Sequence, residues 1–210
     1  GTGVSMFCIL LAAYPLSRTS KQFPKRSIFM WILVFCMLFN GGTVPWYITM
    51  KGYGLVDSIW GLVLGMGLNA YNLILAVNFF KNLPAELEEA ALVDGAEPWK
   101  CLVLIFIPLA KPVIATIALF TIVQYWNEFF RGMVLSARQS NYPLQTYIQQ
   151  LVVTYDFSTM NVEQIAQVQK LNKQSLDAAK IVVAMIPVLA VYPFLQKYFV
   201  SGITLGSIKG

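Results

Sequence analysis

The sequence predicts an all-α protein, a polytopic membrane helical bundle of about five spans, on three observations. The 210 residues are 57% hydrophobic and only 12% charged, whereas a soluble domain carries about 25% charge. Mean hydropathy is +0.62. The apolar residues gather in uncharged runs, and ~20 such residues, rising 1.5 Å each, cross the ~30 Å of bilayer hydrocarbon. Between two of those runs lies one acid-rich stretch, 86–97, holding five of the ten acids: Glu86, Glu88, Glu89, Asp94 and Glu97.

Residues 1–17 (GTGVSMFCILLAAYPLS) are uncharged and barely long enough to cross. The run opens at Gly1, as a span belonging to a longer chain would. Arg18, Lys21, Lys25 and Arg26 follow with no acid among them. A short basic loop between apolar spans stays in the cytoplasm, which puts residue 1 outside; a solvated loop whose charge has no topological meaning is the alternative. Residues 27–50 and 58–80 are again free of charge and each long enough to span with some tilt. The link KGYGLVD between them is then external, and residues 81–108 return to the cytoplasm. A fourth span covers 109–130, with Lys111 snorkelling at its inner end and Pro112 in its first turn. Residues 131–175 form an external segment with two amphipathic pieces, PLQTYIQQLVV and VEQIAQVQKLNKQ, read as a scaffold facing a partner rather than a membrane anchor. Residues 176–199 make the last crossing, with Pro187 and Pro193 as kink sites, and the tail ends inside. With no internal repeat, residues 1–210 read as one membrane domain.

Composition also excludes. The net charge of +5 is topological, since no dense basic patch or zinc-ligand spacing suggests nucleic acid or a metal site. Cys8, Cys36 and Cys101 are odd in number and lie in apolar runs, which points to buried thiols rather than a disulfide framework. Histidine is absent, and with it the commonest general base and metal ligand. No catalytic residue and no metal site is predicted.

The acid-rich stretch reads as a helix–turn–helix elbow. Pro84 starts a helix whose early acids oppose the N-terminal dipole. Gly95 ends it in a left-handed conformation, and Pro98 starts a second helix with Trp99, Leu102, Val103 and Phe106 along one stripe. An acidic surface helix followed by a buried one is the plain alternative. The spacing Glu89-Ala90-Ala91, three residues, Gly95, nine residues, Ile105-x-Ile107-Pro108 resembles the EAA loop of bacterial ABC-importer membrane subunits, with Ile107 where that pattern usually has Leu. The opening LAAYPLSR, the run ending WNEFF after the fourth span and the ending YPFLQKYFVSGITLGSIKG resemble the carbohydrate-uptake branch (maltose/multiple-sugar type), in particular its complex-oligosaccharide and alginate-like subgroup.

The resemblance implies an ABC type I importer permease fold, usually of six spans, so that the first span and its external segment would be missing here. It implies a permease subunit, not an enzyme, in a bacterial cytoplasmic membrane. Its implied partners are a second related permease subunit, two ATPase subunits, an external solute-binding protein, a carbohydrate and the lipid bilayer. ATP and Mg would sit on the ATPases, with no cofactor in this chain. The elbow would couple to the ATPase through Glu86, Glu89, Ala90, Ala91, Asp94, Gly95, Trp99, Ile105, Phe106 and Pro108.

A sugar path needs aromatic faces for pyranose rings and amides for hydroxyls. Asn69, Tyr71 and Asn72 near the middle of the third span, and Gln124, Tyr125, Trp126 and Asn127 toward the outer half of the fourth, are the candidates. Each also has a plainer role: Asn69 and Asn72 as hydrogen bonds between helices, Trp126 as an interfacial belt residue. Asn40-Gly41-Gly42 marks either a close helix crossing or local unwinding. An ion-coupled carrier would want a midplane acid or cation-coordinating cluster, and no span has a central Asp or Glu. An ABC permease for a non-sugar solute shares the architecture, and a purely structural membrane subunit is the bland alternative.

Overall fold

The computed structural model describes residues 1–153 and, beyond them, 161, 175, 178, 179, 181–187, 189, 190 and 193. Within the continuous part the elements are α1 (Thr2–Ser17), α2 (Arg26–Leu38), α3 (Thr43–Gly52), α4 (Ile59–Gly65), α5 (Ala70–Lys81), α6 (Ala85–Val93), α7 (Pro98–Cys101), a π-helical turn (Leu102–Phe106), α8 (Ile107–Leu109), α9 (Lys111–Trp126), α10 (Phe130–Leu135) and α11 (Leu144–Val153). Among the described residues there is no strand. The expected last span, the piece at 162–174 and the tail lie outside the described residues, apart from the scattered positions above.

The apolar runs are helical but not straight. No single described helix is long and apolar enough to cross a membrane; three consecutive pairs are, by length and composition taken together, each bent at a short break. The run 27–50, expected as one span, is two helices: Asn40 Oδ1 accepts the Gly42 amide at 2.9 Å, and Gly42 turns at φ +85°. Among the described residues a Cβ placed on Gly41 would meet one Phe39 ring atom, at 4.0 Å, so within them the tripeptide unwinds the chain rather than marking a close helix crossing. The run 58–80 is likewise α4 and α5. Between them Gly67 sits at φ +64°, and Asn69 caps α5 by accepting the Asn72 amide at 3.1 Å.

The contacts sort the chain, expected as one domain, into two compact units interleaved in sequence. The described part of the first comprises Gly1–Trp46 and Met66–Ile122. Its core joins α1 (Ile9, Ala13, Tyr14, Leu16) to α5 (Leu73, Ala76, Val77, Phe80), to the elbow (Cys101, Leu102, Phe106) and to the start of α9 (Val113, Ile117). Small residues in that core, fully buried Ala13 on α1 and Ala76 on α5, suit close helix packing where lipid gives no hydrophobic drive. The described part of the second comprises Tyr47–Gly65 and Val123 onward. There a Cβ on Gly132 would fall 2.1 Å from the Thr146 hydroxyl and 2.7 Å from Pro143, so only glycine lets α10 lie on the start of α11. Large apolar side chains stay exposed along α2, Trp31 at 73% and Leu38 at 83%, as lipid or protein neighbours require.

Candidate functional site

The elbow spans α6 to α8, all within the first unit. Pro84 stands one residue before α6 as its N-cap, with Glu86 and Glu88 in the first turn, where their charge opposes the dipole. At the far end the Gly95 amide donates to Leu92 O at 3.1 Å and the Ala96 amide to Ala91 O at 2.8 Å, with Gly95 at φ +79°. That pair of bonds is a Schellman motif, and its left-handed residue costs other side chains roughly 1–2 kcal/mol. Pro98 then occupies the first helical position of α7. Both sequence-expected termini are therefore present within a residue.

The stripe on the second helix differs from expectation. Leu102 and Phe106 are buried, but Trp99 and Val103 are exposed, and the inward set is Cys101, Leu102, Ile105 and Phe106. The backbone widens to a π turn at Leu102–Phe106. The inward set i, i+1, i+4, i+5 is still one helix face, rotated from the expected stripe so that Trp99 and Val103 lie on its outer flank. The chain bends by 83° on leaving the elbow, at Ala110.

On α6 the polarity is inverted. Glu86, Glu89, Ala90, Leu87, Leu92 and Val93 are exposed, as are Asp94, Gly95 and Pro108, while Ala91 is half-buried and Glu88 is buried. Glu88 lies in a joint that the sequence reading missed. The Tyr14 hydroxyl donates to Glu88 Oε1 at 2.7 Å, and the Arg18 guanidinium forms an ion pair with Oε2. Arg18 also donates to the Ser17 hydroxyl at 2.8 Å and to Tyr14 O at 3.3 Å. Its guanidinium carbon lies 4.7 Å from the Tyr14 ring centre and 4.5 Å from that of Phe106, within cation–π range. Phe106 meets Tyr14 and Phe80 edge-on, at 5.1 and 5.4 Å. Burial lowers the Arg18 pKa, with Tyr14 opposing, but from so high a starting value the guanidinium stays charged. Arg26 also turns inward, donating to Leu16 O at 2.8 Å. Two of the four basic residues of the expected cytoplasmic loop therefore fasten the end of α1.

The cargo candidates divide between the units. In the first, Asn69 is the α5 cap, Tyr71 is exposed, and Asn72 is buried with its amide donating to Thr121 Oγ1 at 3.3 Å. Asn72 thus makes the bond between helices named as its plainer role. In the second, the Tyr125 hydroxyl donates to Val63 O and Trp126 Nε1 to Ala184 O, both at 2.8 Å. Gln124 is half-buried and Asn127 exposed. Among the described residues no group of three or more His, Cys, Asp or Glu is arranged to hold a metal ion.

Three comparisons bear on these features. The family described as the binding-protein-dependent transport system inner membrane component matches residues 7–205. Over all 210 residues the chain is 40% identical to protein LplC and 41% identical to the polygalacturonan/rhamnogalacturonan transport system permease protein YtcP, both of Bacillus subtilis (strain 168); it covers 70% and 73% of their lengths. A chain from the crystal structure of a bacterial ABC transporter involved in import of the acidic polysaccharide alginate superposes with a TM-score of 0.83 at 37% identity, over 93% of this chain and 69% of that one. The chain belongs to the family of inner-membrane components of binding-protein-dependent transport systems.

Proposed function

We propose that this chain is the multi-pass permease subunit of an ATP-driven importer that carries an oligosaccharide into the cytoplasm, with the elbow 84–109 seated on a cytoplasmic ATPase. The observation that carries this reading is the elbow itself: a glycine-capped bend whose outer face is acidic and apolar while its inner face is anchored in the core. Exposed Leu87, Leu92, Val93 and Trp99 beside Glu86 and Glu89 form a surface that water alone does not favour and a protein partner would. The relatives named for polygalacturonan, rhamnogalacturonan and alginate support an acidic oligosaccharide as cargo.

In this mechanism the chain performs no chemistry. ATP and Mg belong to a pair of separate ATPase subunits, a second related permease completes the path, and an external binding protein delivers the sugar. ATP binding closes the ATPase pair, the elbow follows as a lever, and the helices attached to it turn the cavity from inward-facing to outward-facing. Hydrolysis reverses the motion. Glu89 supplies a charged contact and Ala90 a close approach, and Gly95 holds the bend. Tyr71 and Asn127 remain candidates for the path, together with Gln124 and the faces of Tyr125 and Trp126.

The test is uptake of oligogalacturonates and alginate oligosaccharides by the assembled transporter in proteoliposomes. Glu89→Lys and Gly95→Pro are expected to abolish uptake and transport-stimulated ATPase while the subunit still reaches the membrane. Wild-type uptake in either variant would refute the role of the elbow.

A further inference from the structure

We infer that Arg18 and Glu88 are positioning residues that lock the elbow to the end of α1, so that the two move as one body when the elbow is displaced. The inference rests on the elbow being the part that the ATPase moves.

Covalently, the elbow is held only at its two ends. Residues 82–84 join it to α5, and Ala110, where the chain bends by 83°, joins it to α9. Two such attachments define an axis about which a helical hairpin could pivot. The end of α1 lies 70 residues away in sequence from Glu88, so α1 receives elbow motion only through side chains. Arg18 supplies three contacts, each to a different element: Glu88 on α6, the Phe106 ring on the second elbow helix, and Ser17 with Tyr14 O at the α1 terminus. Tyr14 closes the circuit, with its hydroxyl on Glu88 and its ring against Phe106. Arg18 and Glu88 side chains are only 13% and 9% exposed, so water screens the pair far less than it would an ion pair on the surface.

Chemistry separates a linkage from mere packing. A buried ion pair replaced by apolar groups of similar size commonly keeps or gains stability, so stability alone does not require charge here. What charge and hydrogen bonds add is direction: the guanidinium fits one orientation of the carboxylate, whereas an apolar pair slides. The double variant Arg18→Met/Glu88→Leu should therefore leave the subunit folded and assembled but loosen the joint.

The experiment uses the assembled transporter in nanodiscs, with Cys8 and Cys36 replaced by serine and spin labels at Thr19→Cys and Val93→Cys. Electron–electron distances are recorded at rest and after trapping with ATP and vanadate. The parent distance should be the same in both states and its distribution narrow; in the double variant it should shift and broaden on trapping. In proteoliposomes, oligogalacturonate uptake per ATP hydrolysed should fall roughly two- to thirtyfold in the double variant, the range for changes along a coupled network. A parent distance that changes on trapping overturns the inference whatever the cargo and however well the variant folds. So does a double variant with parental distances or parental uptake per ATP. Glu89→Lys, run in parallel, separates the two levels: normal uptake there sinks the elbow as coupling element, whereas lost uptake there with a parental double variant sinks only the joint.

Discussion

Two carboxylate–arginine pairs, one in each unit, show what burial does to the same chemistry. In the first unit Glu88 and Arg18 are enclosed by Tyr14, Ser17 and Phe106. In the second, Asp57 accepts from Arg138 Nε at 2.8 Å, from Asn141 Nδ2 at 2.8 Å and from the Ala137 amide at 3.3 Å, while its own amide donates to Leu135 O at 2.6 Å. Arg138 is 72% exposed, against 13% for Arg18. Asp57 has more hydrogen bonds, but water competes for each of them, so their worth lies in fixing the 135–141 backbone. At Glu88 water has little access, and a carboxylate left without Arg18 keeps only the Tyr14 hydroxyl.

The largest effect is therefore expected at the joint. Arg18→Met alone strands the Glu88 carboxylate, and breaking a buried pair from one side costs roughly 3–5 kcal/mol. Thermal unfolding of the detergent-purified subunit should show that loss, and Glu88→Leu added to it should recover most of the stability. If the single variant is as stable as the parent, the contrast between the two pairs disappears.

The fate of these residues shows which features are legible in a linear chain. The helix ends of the elbow were, because Pro84, Gly95 and Pro98 act on their own backbones and need no distant partner. The break at Asn40-Gly41-Gly42 was half legible for the same reason: composition marked the place but left a close helix crossing and local unwinding both open. The joint was not. Glu88 looks like Glu86 and Glu89, and Arg18 like Lys21 and Lys25; what distinguishes them is a tertiary contact across 70 residues. Local pattern points the other way: Leu87 and Leu92 would mark the inner face of α6, yet they are exposed while Glu88 is buried and Ala91 half-buried. The stripe at Trp99 and Val103 differed because an apolar helix offers several faces, and which of them turns inward is set by tertiary packing against α1 and α5. Asn72 makes the bond between helices, to Thr121, that is its plainer expectation, whereas Asn69 caps its own helix, a local role that neither expectation named.

That last pair supplies an intermediate case, buried but uncharged. Asn72→Ala leaves the Thr121 hydroxyl with its bond to Ile117 O at 2.7 Å but removes the amide across the helices. Thr121→Val instead leaves the buried Asn72 amide without its acceptor, for which the expected cost is about 1–3 kcal/mol, and Asn72→Ala, which leaves Thr121 bonded, should cost less. If Asn72 instead meets cargo, Asn72→Ala will change the half-saturating oligosaccharide concentration while leaving the unfolding temperature alone. The comparison of the two readouts decides its role.

The smallest effect belongs to Asp57, and there the useful variable is pH. Asn141 first, then Arg138, holds its carboxyl below the usual carboxylate range. A folded value below the unfolded one means that the contribution is present above the unfolded value of ~3.9 and fades as pH falls through the folded one. The latch should therefore persist at pH 5 and open only under more acid conditions. Asp57 sits at φ +59°, a conformation that aspartate and asparagine both tolerate, so Asp57→Asn removes the charge while leaving the backbone its turn. Hydrogen exchange at the Ala137 amide should be faster in Asp57→Asn than in the parent at pH 7. The difference should shrink in ~1 M salt, where the screening length falls to ~3 Å, and vanish once the parental carboxyl is protonated. Salt should leave the Arg18–Glu88 joint nearly untouched, because ions have little access where water has little. Equal salt sensitivity at the two pairs would mean that the joint is wetter than its burial implies, and its stiffness as a lever would have to come from the aromatic rings alone.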